Sequence, residues 1–180
     1  ECLMNKLSNL LSNNFKKVNS TIILIGKTFG HIEQSCFLKE NYSISDGMPP
    51  EVNLLNEKNN GESLLKLIDK NLILSAHDIS SGGLLTALAE MALKSNYGAK
   101  IHKPKKLTNI FKYFFGEDQA RYIVEIQNQH LPTVEKILKE SNVYYENIGF
   151  TQENYFEIEG ELKISTKDLF KINNQWYNNY

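Results

Sequence analysis

Residues 75–92, SAHDISSGGLLTALAEMA, change character halfway, and that change decides the fold. They begin as the end of an apolar strand, break at a histidine, aspartate, serine and glycine cluster, and run on as an amphipathic helix. Strand followed at once by helix is a building unit of α/β proteins. In the helix, Leu84, Leu85, Leu88, Met91 and Ala92 mark one face, and Thr86, Glu90 and Lys94 the other. Glu90 and Lys94 stand four residues apart in the order that favours an ion pair.

The corner itself admits two readings. Free backbone N–H groups at a helix start, aided by the helix dipole, form a natural phosphate seat, which makes Ser80, Ser81, Gly82 and Gly83 candidates for lining a phosphate. Alternatively the corner is a tight turn, in which Asp78 or Ser80 caps the helix and the glycines permit close packing. It is neither a P-loop, because no G-K-[ST] follows, nor a G-x-G-x-x-G fingerprint. His77 reads as a hydrogen-bonded structural histidine, and His77 and Asp78 together as a structural corner.

Upstream, Ser20–Lys27 (STIILIGK) is β-branched and predicts a buried strand. Residues 28–50 predict a short helix and then a loop closed by Pro49 and Pro50. Leu54, Leu55, Leu64, Leu65, Leu67 and Ile68 predict a helix between Glu51 and Lys70, weakened by Gly61. Downstream, GAKI and ARYIVEIQ read as strands, and residues 103–119 as a basic and then aromatic connection. LPTVEKILKES reads as a helix with Pro132 in its first turn, followed by two or three strands and a last short helix. The whole predicts an α/β fold, a mixed β-sheet flanked by helices. Residues 1–18 read as a polar, partly helical lead-in from a preceding domain, and 19–180 as the domain itself.

A second constellation is FGEDQARYIV, residues 115–124. Glu117 and Asp118 are candidates for magnesium or for a ribose or base, Gln119 can donate and accept, and Arg121 can grip phosphate through its fork. The competing reading is an acidic turn with a surface Arg–carboxylate pair, worth about 0–1 kcal/mol. Lys103, Lys105 and Lys106 lack interleaved aromatic residues and read as a solvated loop. Phe111, Tyr113, Phe114 and Phe115 read as core.

Composition bounds the function. At 180 residues with a net charge of −1, the chain has room for a real core and no general affinity for nucleic acid or an anionic membrane surface. No apolar run reaches the roughly 20 residues that span a bilayer. Cys2 and Cys36 are too few and too isolated for a disulfide framework or a zinc motif, the four histidines are too scattered for a local histidine metal motif, and no catalytic triad is legible. A reducing, cytoplasmic setting follows. The chain starts at Glu1 and has no signal-peptide pattern, so it is expected to be part of a longer polypeptide. Arginine occurs once, at Arg121.

AHDISSGGLLTALAEMA and FGEDQARYIV together resemble the C-terminal domain of the AIR synthase-related proteins. Within that superfamily the resemblance is to the ligases of purine biosynthesis, the FGAM synthases. IILIGKTFGHIEQSCFLKE and PPEVNLLNEKNNGESLLKLIDKNLILSAHD extend it. It covers residues 21–124 well and the rest more loosely. The family often carries Asp or Glu at the position of Ser81 and a Glu-Ser-Gln triplet where Glu117, Asp118 and Gln119 stand. An aspartate there would repel a phosphate.

The resemblance implies an ATP-dependent C–N ligase that converts formylglycinamide ribonucleotide to the amidine, using ATP and magnesium. It places the catalytic residues in N-terminal AIR synthase-like domains of the same polypeptide, and a glutaminase subunit or domain as ammonia source. None of the residues here is expected to be catalytic, and the fragment alone is expected to be inactive. Alternatives are another enzyme of the superfamily, of the selenophosphate synthetase or hydrogenase maturation type, or a non-catalytic assembly module.

Overall fold

The computed structural model describes residues 10–104 and 109–175. Lys105, Lys106, Cys2 and the terminal WYNNY lie outside them. Seven strands form one sheet: β1 (Thr21–Ile25), β2 (Ser75–Asp78), β3 (Tyr97–Ile101), β4 (Tyr122–Ile126), β5 (Tyr145–Glu153), β6 (Tyr155–Ile158) and β7 (Leu162–Ser165). Their order is β2-β4-β1-β5-β3-β6-β7. All pairs are antiparallel except β3 with β6, so the sheet is mixed, as the sequence predicts.

β1 sits at the centre of the core because its pleat offers both faces an aliphatic side chain. Ile22 and Leu24 enter one apolar cluster, with Leu84, Leu88 and Met91 of α3 (Gly83–Leu93) and Tyr113 and Phe114 of α4 (Ile110–Phe115). Ile23 and Ile25 enter the other, with Leu67 of α2 (Leu54–Asp69) and Val134 and Leu138 of α5 (Leu131–Glu140). Two further helices, α1 (Cys36–Tyr42) and α6 (Thr166–Asn174), complete the α-helices of the described residues. Among the described residues no helix is long and apolar enough to cross a membrane.

Four features differ from the sequence reading. The described part of the lead-in, from Leu10, holds no helix, and its Phe15 is buried in the core. Buried Glu125 fixes this segment by accepting the backbone N–H groups of Lys16 at 2.8 Å and Lys17 at 3.0 Å. The expected connection after β3 contains α4, capped by the Asn109 side chain, which accepts the Lys112 N–H at 3.1 Å. Tyr113 and Phe114 are core, but Phe111 is exposed and stacks with Phe37 of α1. In α2, Leu54, Leu55 and Leu65 are exposed while Leu67 is fully buried.

Candidate functional site

β2 ends at Asp78, and the chain turns through Ser80 and Ser81, both exposed, into α3. Neither Asp78 nor Ser80 caps that helix. The cap is Gly82, at φ 82°, and Gly83 follows at φ 71°, a conformation that side-chain-bearing residues adopt at a cost. A Cβ on Gly83 would stand 2.7 Å from the Gly116 carbonyl oxygen and 2.8 Å from that of Phe114. The glycine thus lets the end of α4 pass against the start of α3. His77 fastens the same corner from the other side: its Nε2 lies 2.7 Å from Glu90 Oε2 and its Nδ1 3.2 Å from Asp78 Oδ1.

The GEDQAR turn meets this corner. Glu117 Oε1 accepts the Gly82 N–H at 2.8 Å and the Cys36 N–H at 2.8 Å, so one carboxylate oxygen ties the first turns of α3 and α1 together. Asp118 is buried and faces inward. Its Oδ2 accepts the N–H groups of Phe29 (3.0 Å) and Gly30 (2.9 Å), and its Oδ1 that of His31 (3.1 Å). The Glu117 N–H in turn donates to the His31 carbonyl at 2.8 Å. Two adjacent acidic residues thus hold the loop after β1 through its backbone.

Arg121 is not at the surface. It is 1% exposed, and its three nitrogens donate to the Gly116 carbonyl (2.6 Å), the Asp118 carbonyl (3.2 Å) and Thr28 Oγ1 (3.3 Å). Burial pushes the guanidinium pKa down, and the nearby Asp118 carboxylate opposes that shift. Nor does the turn fit a divalent cation. Glu117 Oε1 and both oxygens of Asp118 accept from backbone donors, and among the described residues no group of three or more His, Cys, Asp or Glu could hold a metal.

Beside the turn lies a cleft of about 300 Å³. Lys27, Phe29 and His31 line it from the loop after β1, Asn56 and Asn60 from α2, and Gln119 from the turn. Phe29 is 68% exposed, with the Lys27 ammonium 5.0 Å from its ring centroid. Asn60 Nδ2 donates to the Ala120 carbonyl at 2.8 Å, fixing the turn against α2. His31 Nε2 lies 2.8 Å from the Met48 carbonyl oxygen. Of the candidate site residues read from the sequence, only Asp118 and Gln119 border this cleft. The other lining residues come from segments far apart in sequence, and only the run of asparagines in NEKNN carried a local hint.

A two-sided α/β sheet with this corner defines the class of the protein. The family described as AIR synthase related protein, C-terminal domain, matches residues 17–158, and the chain belongs to it. The chain is 43% identical over 178 residues to the phosphoribosylformylglycinamidine synthase subunit PurL of Pelagibacter ubique, covering 99% of this chain and 24% of that protein. Against the PurL subunit of Rhodopseudomonas palustris HaA2 the identity is 38% over 166 residues, covering 92% of this chain and 23% of the relative. The chain therefore spans about a quarter of the length of the curated relatives it matches.

Among solved structures, T. maritima PurL complexed with FGAR superposes with a TM-score of 0.79 at 17% identity, covering 91% of this chain and 30% of that one. A HypE-HypF complex gives a TM-score of 0.60 at 15% identity, covering 86% of this chain and 54% of the other. At such identities the likeness establishes the fold.

Proposed function

We propose that this chain is a C-terminal domain within an ATP-dependent FGAM synthase. The whole enzyme would convert formylglycinamide ribonucleotide to formylglycinamidine ribonucleotide in cytoplasmic purine biosynthesis. The observation that carries the reading is the 43% identity to a PurL subunit across 99% of the chain. It is supported by T. maritima PurL, whose structures include complexes with FGAR and with ATP.

The reaction needs positioned phosphate, ammonia and amide groups, and a set of that size must be held by more than this chain. The domain contributes a scaffold: the His77–Asp78 corner and the buried Arg121 fix the turn that carries Glu117, Asp118 and Gln119, and the exposed Ser80 and Ser81 border the nucleotide's phosphate side. Magnesium and ATP would be held chiefly by N-terminal domains of the same polypeptide, and a glutaminase subunit or domain would deliver ammonia. The structure of PurLQS from Thermotoga maritima, with which this chain superposes at a TM-score of 0.70, supports an assembly of that kind.

The test is ADP release by the full-length protein, given formylglycinamide ribonucleotide, ATP and ammonium chloride. Release that depends on the ribonucleotide is expected. A folded, nucleotide-binding protein that is silent with this substrate would move the reading to another enzyme of the superfamily.

A further inference from the structure

The segment ahead of β1 is tied to the sheet by buried side chains that take no part in the site described above. The family match begins at residue 17, yet Phe15 lies in the core, and its N–H donates to the Met91 carbonyl at 3.2 Å. Lys16 and Lys17 each donate their N–H to one oxygen of Glu125, and the Ser75 hydroxyl donates to Glu125 Oε2. Thr151 on β5 takes the next residues. Its Oγ1 donates to the Lys17 carbonyl at 2.5 Å and accepts the Ser20 N–H at 2.8 Å, while its carbonyl accepts the Asn19 N–H at 2.9 Å. Asn128 Nδ2 donates to the Asn19 carbonyl at 3.0 Å.

Glu125, Ser75 and Thr151 are fully buried. Polar groups in such places cost stability unless paired, and here the pairing goes to the backbone of residues 15–19. Connections between domains are ordinarily exposed and cross few contacts. This one is bound along its length. Glu125 also stands on β4, whose first residue follows Arg121 of the GEDQAR turn. At the usual rise per residue, the clamp lies about 13 Å from that turn along one strand. That strand is paired on both sides, with β1 and with β2, so turn and clamp move as one body.

We propose that residues 15–19 form a rigid strap, and that Glu125 and Thr151 are positioning residues which act through its backbone. They fix the direction in which the polypeptide enters this domain, and so how a preceding domain sits against the GEDQAR turn. The inference rests on the reading that such a domain precedes in the same polypeptide, and adds which side chains fix the joint. Loosening the strap leaves each domain folded but misplaces one against the other. A site assembled from several domains registers a misplacement of that kind in kcat.

The experiment is tryptic cleavage after Lys16 and Lys17 in the native full-length protein, with small-angle scattering and the ligase kcat measured on the same variants. Both lysines are exposed, but cleavage needs their backbone free, so the wild type should resist. Thr151→Val removes the hydroxyl and should raise cleavage at these two bonds, and lower kcat, about tenfold or more. Thr151→Ser, which keeps the hydroxyl, should restore both. Glu125→Gln turns an NH2 group towards one of the two N–H donors and should behave like Thr151→Val. Asn128 is exposed, so Asn128→Ala, which frees the Asn19 carbonyl, keeps the test decisive should the buried variants fail to fold. Its expected effect is in the same direction and smaller. Faster cleavage with unchanged kcat and scattering would make the clamp merely stabilising and overturn the proposal. A wild type cut at Lys16 or Lys17 as fast as the variants also overturns it. A full-length wild type that releases no ADP overturns the ligase reading alone, because cleavage and scattering still decide the strap.

Discussion

Glu117 Oε1 accepts the Gly82 N–H at 2.8 Å, so the helix that begins at the glycine corner is met by a carboxylate from 35 residues downstream. A negative charge at a helix N-terminus is worth about 0.3–1 kcal/mol when exposed and up to about 2 kcal/mol when partly buried. The chain thereby supplies its own anion at the place where strand, glycines and helix would otherwise invite a phosphate. The same oxygen also holds α1 through Cys36, which makes the turn a junction between three segments.

Replacing Arg121 by lysine tests whether the only arginine is structural. The guanidinium satisfies two backbone carbonyls and the Thr28 hydroxyl from within the protein, a fork that a single ammonium does not reproduce. Leaving buried acceptors without donors costs about 1–3 kcal/mol each, so Arg121→Lys should lower unfolding free energy by roughly 2 kcal/mol or more. Urea unfolding of the full-length protein reads the loss. A variant of undiminished stability that has lost nucleotide affinity would instead show that the arginine meets ligand.

Gly83→Ala should destabilise by more than about 2 kcal/mol. The left-handed backbone alone costs a non-glycine residue about 1–2 kcal/mol. The added Cβ also meets two carbonyl oxygens of the α4 end, which cannot swing away as a side-chain tip would. The expected signature is a lower urea midpoint at unchanged slope. Full stability would mean that α4 can retreat from α3.

The fold was legible where the pattern is local. A β-branched run marks β1, a 3.6-residue period marks α3, and alternation marks β4. α4 was not, because a six-residue helix of aromatic and β-branched residues has little intrinsic propensity, and the burial of Tyr113 and Phe114 decides it. The exposed Leu54 and Leu55 show the converse, apolar residues in a helix whose first turn reaches beyond the core. Glu117, Asp118 and Arg121 were identified in the sequence, but their partners are the backbone of residues 29–31, 36, 82, 116 and 118 and one hydroxyl, that of Thr28, and these leave no motif. The cleft draws on residues 27 to 120 and exists only once the turn and α2 are brought together.

Glu146 stands between two phenols, with Tyr113 Oη donating at 3.0 Å and Tyr144 Oη at 2.6 Å. The Tyr144 pKa is pushed up to about 12, chiefly by that hydrogen bond, and burial drives Tyr113 higher still, aided by Glu146. For an acid whose folded pKa is raised, the unfolded chain loses its proton first, so stability is lost as pH rises from the ordinary phenol value towards the folded one. Between about pH 10, the ordinary tyrosine value, and pH 12, the native state should weaken. Glu146→Ala should bring the Tyr144 transition down towards the ordinary range. Tyrosinate absorbance measured against pH checks this, and an unmoved transition would assign the shift to something other than Glu146.

Glu125 carries a second pH signature, with its window at acid pH. It lies fully buried on β4, where burial raises its pKa, while the N–H groups of Lys16 and Lys17 and the Ser75 hydroxyl at 3.0 Å pull it back. The net direction is upward, so the folded protein holds this proton more tightly than the unfolded chain. Its contribution is therefore largest below the ordinary glutamate value and declines as pH rises through the folded one. Glu125→Gln abolishes the titration and turns an NH2 group towards backbone donors, a pH-independent cost of about 1–3 kcal/mol. The stability of wild type minus variant should accordingly fall as pH rises from the ordinary glutamate value, about 4.3, through the folded one, and then level off. Urea unfolding across that range reads the difference. A gap that widens with pH would mean that the lead-in holds Glu125 as a carboxylate more strongly than burial opposes it, and that hydrogen bonding outweighs desolvation at this position.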